Sequence, residues 1–444
     1  MKVIYLPLYA PFLTDTRRKE NMYPITTGDG IHLIGGFGGN IDYTVRLNLK
    51  MIDEIDGSIL REAVSKTQQR YPYLSLRLHK NERDYYYEDN PTPIVVFHTD
   101  DKISLNAEES NYHVWAVCYN EDRLYLDFSH GIADGTGMYM VLSTLLYYYC
   151  AERYGVTDHS GIRTLEDPIL PEESIDPLDT LQQIDLSLMK RPQTEPAFSL
   201  IMDGGLTEAE PNIWEIEIPE SAFIPFSSEH DASPGTMVSI LFARALDDLF
   251  PKRDNQLIGG YVVNARPMLH APLGHHNMVT NILFPYTDRI KAMPLDRQCT
   301  VHRGTTFIKS DEVSVRNMMI YSSSFSKSIL QNTPSVEAKK QAFKQVVFNP
   351  KRQTYNVSYV GQWKHKALSP YILEFWTHVP AGGGGMTIEI AAINEKVFLS
   401  VHQNFREDVV IKSFLRQLDE NSIPYKVKGP LASDIPQFPE PEMD

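Results

Sequence analysis

The stretch RLYLDFSHGIADG, residues 123–135, carries the pattern on which the interpretation of this chain depends. Its first part is apolar enough to form a buried β-strand, and a tight turn that contains Gly131 follows. His130 stands at the end of the strand, where a side chain can project into a cleft, and an imidazole with an ordinary pKa of about 6.5 suits proton transfer at neutral pH. Asp134 comes four residues later, and a helix is predicted over about 137–154. The residues alone leave two interpretations open: a reactive histidine, or a core histidine in a loop that contains glycine.

A second segment, KVFLSVHQNFRED at 396–408, aligns with 123–135 without gaps. Each is the second strand of a predicted hairpin, followed by a short loop and a helix, and the apolar residues of the two strands fall in step. Only the first copy has reactive chemistry in its loop, because His130 matches Gln403. The match predicts two halves built on one plan, and the alternative is a chance similarity between two strand patterns.

The rest of the chain mixes strand and helix patterns, so an α+β fold class is expected. Strands are predicted at 42–50, 112–119, 212–218, 256–264, 279–285, 354–361, 371–378 and 386–393, and helices at 56–70, 233–249, 334–347 and 407–420. Prolines recur among acidic residues through 166–200, as is typical of a crossover or linker. The patterns divide the chain into an N-terminal subdomain (1–165), the crossover (166–200), a C-terminal subdomain (201–430) and a tail (431–444) predicted to be disordered.

The SHGIADG motif at 129–135 resembles the HHxxxDG motif of the condensation-domain and CoA-dependent acyltransferase superfamily. That superfamily includes peptide-synthetase condensation domains, alcohol acetyltransferases and polyketide-associated acyltransferases. Four more segments resemble it in the expected order, at 55–78, 233–249, 260–269 (GYVVNARPML) and 356–363 (NVSYVGQW). The resemblance implies two chloramphenicol-acetyltransferase-like mixed α/β subdomains that form a V around a central cleft.

The resemblance also implies roles for particular residues. His130 would be the general base that takes a proton from an acceptor hydroxyl or amine as that group attacks a thioester. Asp134 would support the loop by pairing with Arg266, and Gly135 would keep the passage beside the histidine open. The sequence departs from the family pattern where Ser129 replaces the first histidine of the doublet, which weakens a peptide-condensation reading more than an acyltransferase one.

The composition of the chain limits which partners, which cellular location and which metal sites can be expected. A formal net charge of -15 argues against broad binding to nucleic acid. Three scattered cysteines indicate neither disulfides nor a metal motif, which favours a reducing, cytoplasmic location. The longest apolar stretch, 138–151, is too short to span a membrane. His270, His275 and His276 are close in sequence, but no carboxylate or cysteine completes a ligand set, so a loop is favoured over a metal site and no cofactor is expected.

The remaining expectation concerns the kind of acyl donor that the protein uses. An acidic chain favours free acyl-CoA over an acidic acyl carrier protein, since like charges oppose association. The conspicuous basic segment is 339–352, and the candidate donor-binding residues in it are Lys340, Lys344, Lys351 and Arg352. The expected partners are therefore a small-molecule acyl donor and an acceptor. The alternatives are a stand-alone condensation-type domain that acts on carrier-bound thioesters, and a catalytically silent homologue that binds a partner or small molecule.

Overall fold

The computed structural model of the protein describes residues 22–37, 43–186, 195–347 and 349–444. The first half forms β1 (Met22–Pro24), α1 (Thr27–Gly36), β2 (Thr44–Met51), α2 (Gly57–Arg70), β3 (Leu76–Lys80), β4 (Tyr85–Asp89), β5 (Val96–His98), β6 (Trp115–Asn120), β7 (Arg123–Ser129) and α3 (Gly135–Tyr154). The crossover contributes two single-turn helices, α4 (Pro171–Ser174) and α5 (Pro177–Thr180). The second half forms β8 (Glu208–Pro219), α6 (Glu220–Glu229), α7 (Pro234–Leu249), β9 (Leu257–Asn264), α8 (Arg266–Leu269), β10 (Val279–Tyr286), α9 (Asp288–Lys291), α10 (Leu295–Lys309), α11 (Glu312–Asn332), α12 (Val336–Val347), β11 (Tyr355–Gln362), β12 (Ile372–His378), β13 (Met386–Ile393), β14 (Lys396–Phe405), α13 (Val409–Glu420) and β15 (Lys426–Ala432).

The first large sheet has five strands in the order β12–β2–β7–β6–β5. Alternate side chains of β2, namely Val45, Leu47 and Leu49, are buried in a core shared with α2 and α3. On the other face of the sheet Arg46 donates through Nε to Oδ1 of Asp127 at 2.8 Å, and both side chains are fully buried. Because β7 lies antiparallel between β2 and β6, the residues that follow it emerge from the middle of the sheet.

The second large sheet has seven strands in the order β10–β9–β11–β13–β14–β8–β15. Taken from its other edge, β15–β8–β14–β13–β11 repeats the order β12–β2–β7–β6–β5, and in both sheets the last pair is parallel while the others are antiparallel. The strands aligned from the sequence, β7 and β14, occupy the same position, and a helix follows each of them. The prediction of two halves built on one plan is therefore confirmed.

Two segments cross the predicted division of the chain. Strand β12 lies inside 201–430, yet it pairs antiparallel with β2 and completes the first sheet. The tail 431–444 packs against the first half, where Phe438 is 3% exposed and Glu440 accepts a hydrogen bond from Lys80 at 2.9 Å. The expectation of a disordered tail is therefore wrong, because proline opposes regular backbone pairing without preventing side chains from packing.

Helix α1 has no counterpart among the sequence predictions, since its four glycines disfavour a helix. Carboxylates of the crossover stabilise its first turn. The N–H of Gly28 donates to Asp176 at 2.7 Å, and that of Thr27 donates to Asp179 at 3.0 Å. The helix packs against α11 and α12 and carries His32 towards the end of β7.

Candidate active site

His130 directly follows β7 at the junction of the two halves. Its backbone N–H donates to the carbonyl oxygen of Tyr43 at 2.9 Å, which ties it to the chain entering β2. Its carbonyl oxygen accepts from Nδ2 of Asn277, in the second half, at 2.7 Å. Both backbone groups are thus held, and the position of the histidine depends on both halves.

The imidazole of His130 lies against two other rings. Its centroid is 4.5 Å from that of His32 and 5.0 Å from that of Tyr43, and both pairs are stacked. Burial lowers the pKa of His130, and the nearby charge of Asp134 offsets part of that effect. Nδ1 is buried and has no hydrogen-bond partner among the residues the structure describes. The ring is therefore neutral at neutral pH, which is the state a general base requires.

Asp134 and Arg266 form a buried ion pair between the halves. Arg266 donates through both terminal nitrogens to the carboxylate of Asp134, each at 2.8 Å, and both side chains are 3% exposed. The same carboxylate accepts from the N–H of Gly137 at 2.9 Å and from that of Met278 at 3.0 Å. The structure thus brings together the two residues expected to pair, and the pair joins the turn after His130 to the second half.

Two glycines at the start of α3 differ in the space around them. A Cβ added to Gly137 would lie 2.2 Å from the carbonyl oxygen of His275, so a side chain there would force the halves apart. A Cβ added to Gly135 would meet Val360 at 3.6 Å, which is ordinary contact. The role of Gly135 in keeping a passage open stays a prediction.

A buried network behind His130 was not predicted from the sequence. Asn277, which holds the carbonyl of His130, also donates through Nδ2 to Oδ1 of Asp29 at 3.0 Å. Oδ2 of Asp29 lies 2.6 Å from Nδ1 of His276, whose Nε2 lies 2.9 Å from the carbonyl oxygen of Ser174. Burial opposes the positive charge of His276, but Asp29 raises its pKa to about 10. The imidazole is therefore protonated and donates hydrogen bonds to both Asp29 and Ser174. The network connects α1, the crossover and the second half.

Glu389 lies on the wall that the second half contributes. It shares a face of β13 with Ala391 and Ile393, which pack into the core of the first half. The residue as a whole is 7% exposed. Burial raises the pKa of its carboxyl group to about 8, although a hydrogen bond with Ser358 acts to lower it. After burial, the charge of Glu389 is the next influence raising the pKa of Tyr43, which places the carboxyl near the rings around the histidine.

Replacing Glu389 with glutamine is expected to stabilise the fold in a pH-dependent way. The folded-state pKa is above the value of the unfolded chain, so ionisation at rising pH destabilises the wild type between about pH 4.5 and 8. The amide avoids that cost, so its advantage in the free energy of unfolding should grow from near zero at pH 4 to about 2–4 kcal/mol at pH 8. Urea unfolding across this range measures it, with the exposed Glu420→Gln as control. A difference independent of pH would contradict the prediction.

The candidate donor-binding cations lie in different surroundings. Lys340 forms ion pairs with Glu440 and Glu337, each at 2.9 Å. Lys351 pairs with Asp203. The remaining two are Lys344, which is partly exposed on α12, and Arg352, which is exposed. The charge of Arg352 helps to lower the pKa of His32 and offsets part of the rise in the pKa of Tyr43. Of the four, Arg352 is the one whose charge reaches the rings around His130.

The three histidines near residue 270 separate in the structure. His275 donates through Nδ1 to the carbonyl of Gly137 at 2.9 Å, and burial lowers its pKa to about 3. His276 belongs to the network with Asp29, and His270 is exposed, 3.6 Å from Glu312. Within the described ranges, no three His, Cys, Asp or Glu side chains gather as a metal site requires.

Comparison with known proteins identifies related folds among solved structures, but it does not assign the chain to a sequence family. No protein-family model matches the chain, and no curated protein matches it. Solved structures do match over most of its length. TRI101 of F. graminearum, complexed with coenzyme A and deoxynivalenol, covers 91% of this chain and 99% of its own, with 10% identity and a TM-score of 0.61.

Two further structures have the same architecture. Polyketide synthase associated protein 5 from Mycobacterium tuberculosis matches with 12% identity and a TM-score of 0.59, covering 89% of this chain and 98% of its own. The condensation domain of the monacolin K polyketide synthase MokA matches with 10% identity and a TM-score of 0.56, covering 90% and 97%. The chain therefore has the two-subdomain α/β fold of condensation domains and acyltransferases, as the motif resemblance implied. None of the helices in the described ranges is both long and apolar enough to cross a membrane.

Proposed function

We propose that the protein is an acyltransferase that moves an acyl group from a thioester to a hydroxyl or amine acceptor. The observation that carries the proposal is the neutral, half-buried imidazole of His130, held at the junction of two halves whose fold is that of acyltransferases. A histidine of this kind can accept a proton from an acceptor group at neutral pH.

The reaction follows from that position. Nε2 of His130 takes the proton of the acceptor as its oxygen or nitrogen forms a bond to the thioester carbonyl carbon. The carbon–sulfur bond of the tetrahedral intermediate then breaks, and the imidazolium returns the proton to the departing thiolate. The products are an ester or amide and a free thiol, and no covalent acyl-enzyme is formed. Asp134 and Arg266 would keep the histidine in place without touching the substrate.

Release of thiol is the direct test of this function. Purified protein is given acyl-CoA of different chain lengths with mixed alcohol and amine acceptors, and free CoA is followed with a thiol reagent. Acceptor-dependent release that disappears in His130→Ala supports the proposal. Turnover only with acyl groups attached to a carrier protein would favour a condensation-type domain, and no turnover with either donor would favour a silent binding homologue.

We further propose acyl-CoA as the donor, with Arg352 as the cation that attracts it. The residue is exposed, its charge reaches the site, and no ion pair with it is found among the described residues. Lys340 is less suited to this role, because its ammonium group is already paired with Glu337 and Glu440. A charged hydrogen bond to a phosphate contributes about 1.5–3 kcal/mol, which corresponds to at least a tenfold change in affinity.

Arg352→Gln is therefore expected to raise the KM for acyl-CoA about tenfold and to leave the KM for the acceptor unchanged. Initial rates at varied concentrations of each substrate measure the two constants separately. The adjacent variant Lys351→Gln is the matched control, because that lysine pairs with Asp203 and should leave both constants near their wild-type values. An unchanged donor KM in Arg352→Gln would remove this residue from donor binding.

A further inference from the structure

Three rings from separate parts of the chain meet at the candidate base. His32 comes from α1, Tyr43 precedes β2, and His130 follows β7. The centroid of His32 is also 5.4 Å from that of Tyr43, and the angles between the three ring planes are 7°, 21° and 22°. The imidazole of His130 thus has two nearly parallel rings whose centroids lie within 5.0 Å of its own.

The fold holds these rings in place. A Cβ added to Gly131, directly after the histidine, would lie 2.7 Å from Cβ of Leu33, so α1 packs against the turn itself. Tyr43 is fixed because its carbonyl oxygen accepts the N–H of His130. The contact of the rings is therefore a consequence of how α1 and β2 are anchored.

The proposed reaction creates a positive charge on the half-buried imidazole of His130. Asp134 and Asp29 are the carboxylates whose charges favour a protonated His130, but Asp134 is bonded to Arg266 and Asp29 to His276. The groups stacked on the ring itself are aromatic. A cation over an aromatic face is stabilised by the negative charge density of the ring, and most strongly in desolvated sites.

His32 remains neutral while His130 is charged. Burial is the main cause that holds the pKa of His32 well below its ordinary value, and the charge of His130 lowers it further. The second imidazole therefore presents an uncharged face to the first. Nδ1 of His32 is also buried without a hydrogen-bond partner in the described part of the chain, so no polar contact at this nitrogen competes for the orientation of the ring.

We propose that His32 and Tyr43 are positioning residues whose ring faces stabilise the imidazolium that His130 becomes in the transition state. The inference rests on the proposed function, because it concerns the charge that His130 acquires as the base. It assigns a catalytic purpose to α1, and the alternative is a proton relay through the nitrogens of His32, against which the unpartnered Nδ1 argues.

A pair of substitutions at one position tests the inference. His32→Leu removes the aromatic face and keeps the site filled, whereas His32→Phe keeps the face and removes both nitrogens. Alanine is avoided because it would admit water and change the solvation of His130. We expect His32→Leu to lower kcat about tenfold with an unchanged KM, and His32→Phe to retain most of the wild-type kcat. Equal losses in both variants would overturn the inference and favour a relay through the nitrogens.

A second measurement does not depend on activity. The pKa of His130 is read from the pH dependence of its imidazole resonances by NMR, in the wild type and in both His32 variants. The groups facing that ring are His32 and Asp29 from α1, Tyr43, Asp134 directly before α3, and Asn277, and Glu389 of β13 lies near Tyr43 and is unchanged in both variants. Asp29, Asp134, Tyr43 and Asn277 are common to all three proteins, so a difference between variants reports on His32.

The pKa of His130 should be lower by about one in His32→Leu than in His32→Phe, since only the phenyl ring favours the protonated form. The same pKa in both variants would refute the stabilisation of the cation. This titration remains decisive if the thiol-release assay finds no acyl transfer, so failure of the inference and failure of the proposed function are distinguishable.

Discussion

Replacing His130 with alanine is expected to lower kcat of acyl transfer by at least about 10²-fold, the usual scale for loss of a general base. The acceptor then keeps its proton as it approaches the thioester, and no other described side chain in contact with the ring is a suitable base. Burial holds the pKa of His32 well below its ordinary value, so its imidazole binds a proton too weakly to serve as the base. Burial and the charge of Glu389 raise the pKa of Tyr43 to about 12, so its phenol stays protonated at neutral pH. Single-turnover rates with saturating donor and acceptor measure the loss directly.

Two controls make this loss interpretable. His270→Ala replaces an exposed histidine of the second half and should leave kcat unchanged. The unfolding transition of His130→Ala should remain within a few degrees of the wild type, because the backbone bonds to Tyr43 and Asn277 do not need the side chain. Near-normal turnover in a folded His130→Ala protein would show that another group is the base.

Asp134→Ala is expected to destabilise the protein by about 3–5 kcal/mol, because it leaves the guanidinium of Arg266 buried without its counter-charge. The substitution also removes the acceptor for the N–H groups of Gly137 and Met278. The free energy of unfolding in urea measures the effect. Activity should fall as well, since the turn that carries His130 loses its connection to the second half.

A double-mutant cycle separates the interaction between Asp134 and Arg266 from the other effects of each substitution. Combining Asp134→Ala with Arg266→Met removes both charges, so the combined destabilisation should be clearly smaller than the two single values added together. Lys412→Ala is the control for an exposed pair, with Asp408 at 2.7 Å, and should cost less than about 1 kcal/mol. Strictly additive effects would mean that Asp134 and Arg266 do not interact as the geometry indicates.

Much of the architecture was predictable because local patterns coincide with tertiary roles. Strands β7 and β14 are apolar runs that end in turn residues, and their equal positions in the two sheets follow from the repeat. The pairing of Asp134 with Arg266 was implied by family resemblance, and the structure supplies the 2.8 Å contacts. Long elements with strong periodicity are the ones that sequence patterns identify best.

The surroundings of His130 were not predictable in the same way. His32 lies on a helix with four glycines, and that helix depends on carboxylates from the crossover, which no local pattern reveals. Asn277 directly follows His275 and His276, which were considered from the sequence as possible metal ligands. It is Asn277, however, that binds the backbone carbonyl of His130. Glu389 is the one charged residue of the mostly apolar strand β13. This interruption of the apolar pattern was the signal that could have indicated a residue of the site.

The strand β12 has a consequence for synthesis of the chain. The first sheet lacks that edge strand until residues 372–378 have been made, and the tail that packs on the same half comes later still. An emerging N-terminal half therefore exposes an unpaired edge of β2, which is a hazard for aggregation. The contacts that complete it join positions far apart in sequence, so closure of the sheet is a late and comparatively slow event. The candidate base, its aromatic neighbours and Glu389 on the opposite wall therefore come together only after β12 and β13 have left the ribosome.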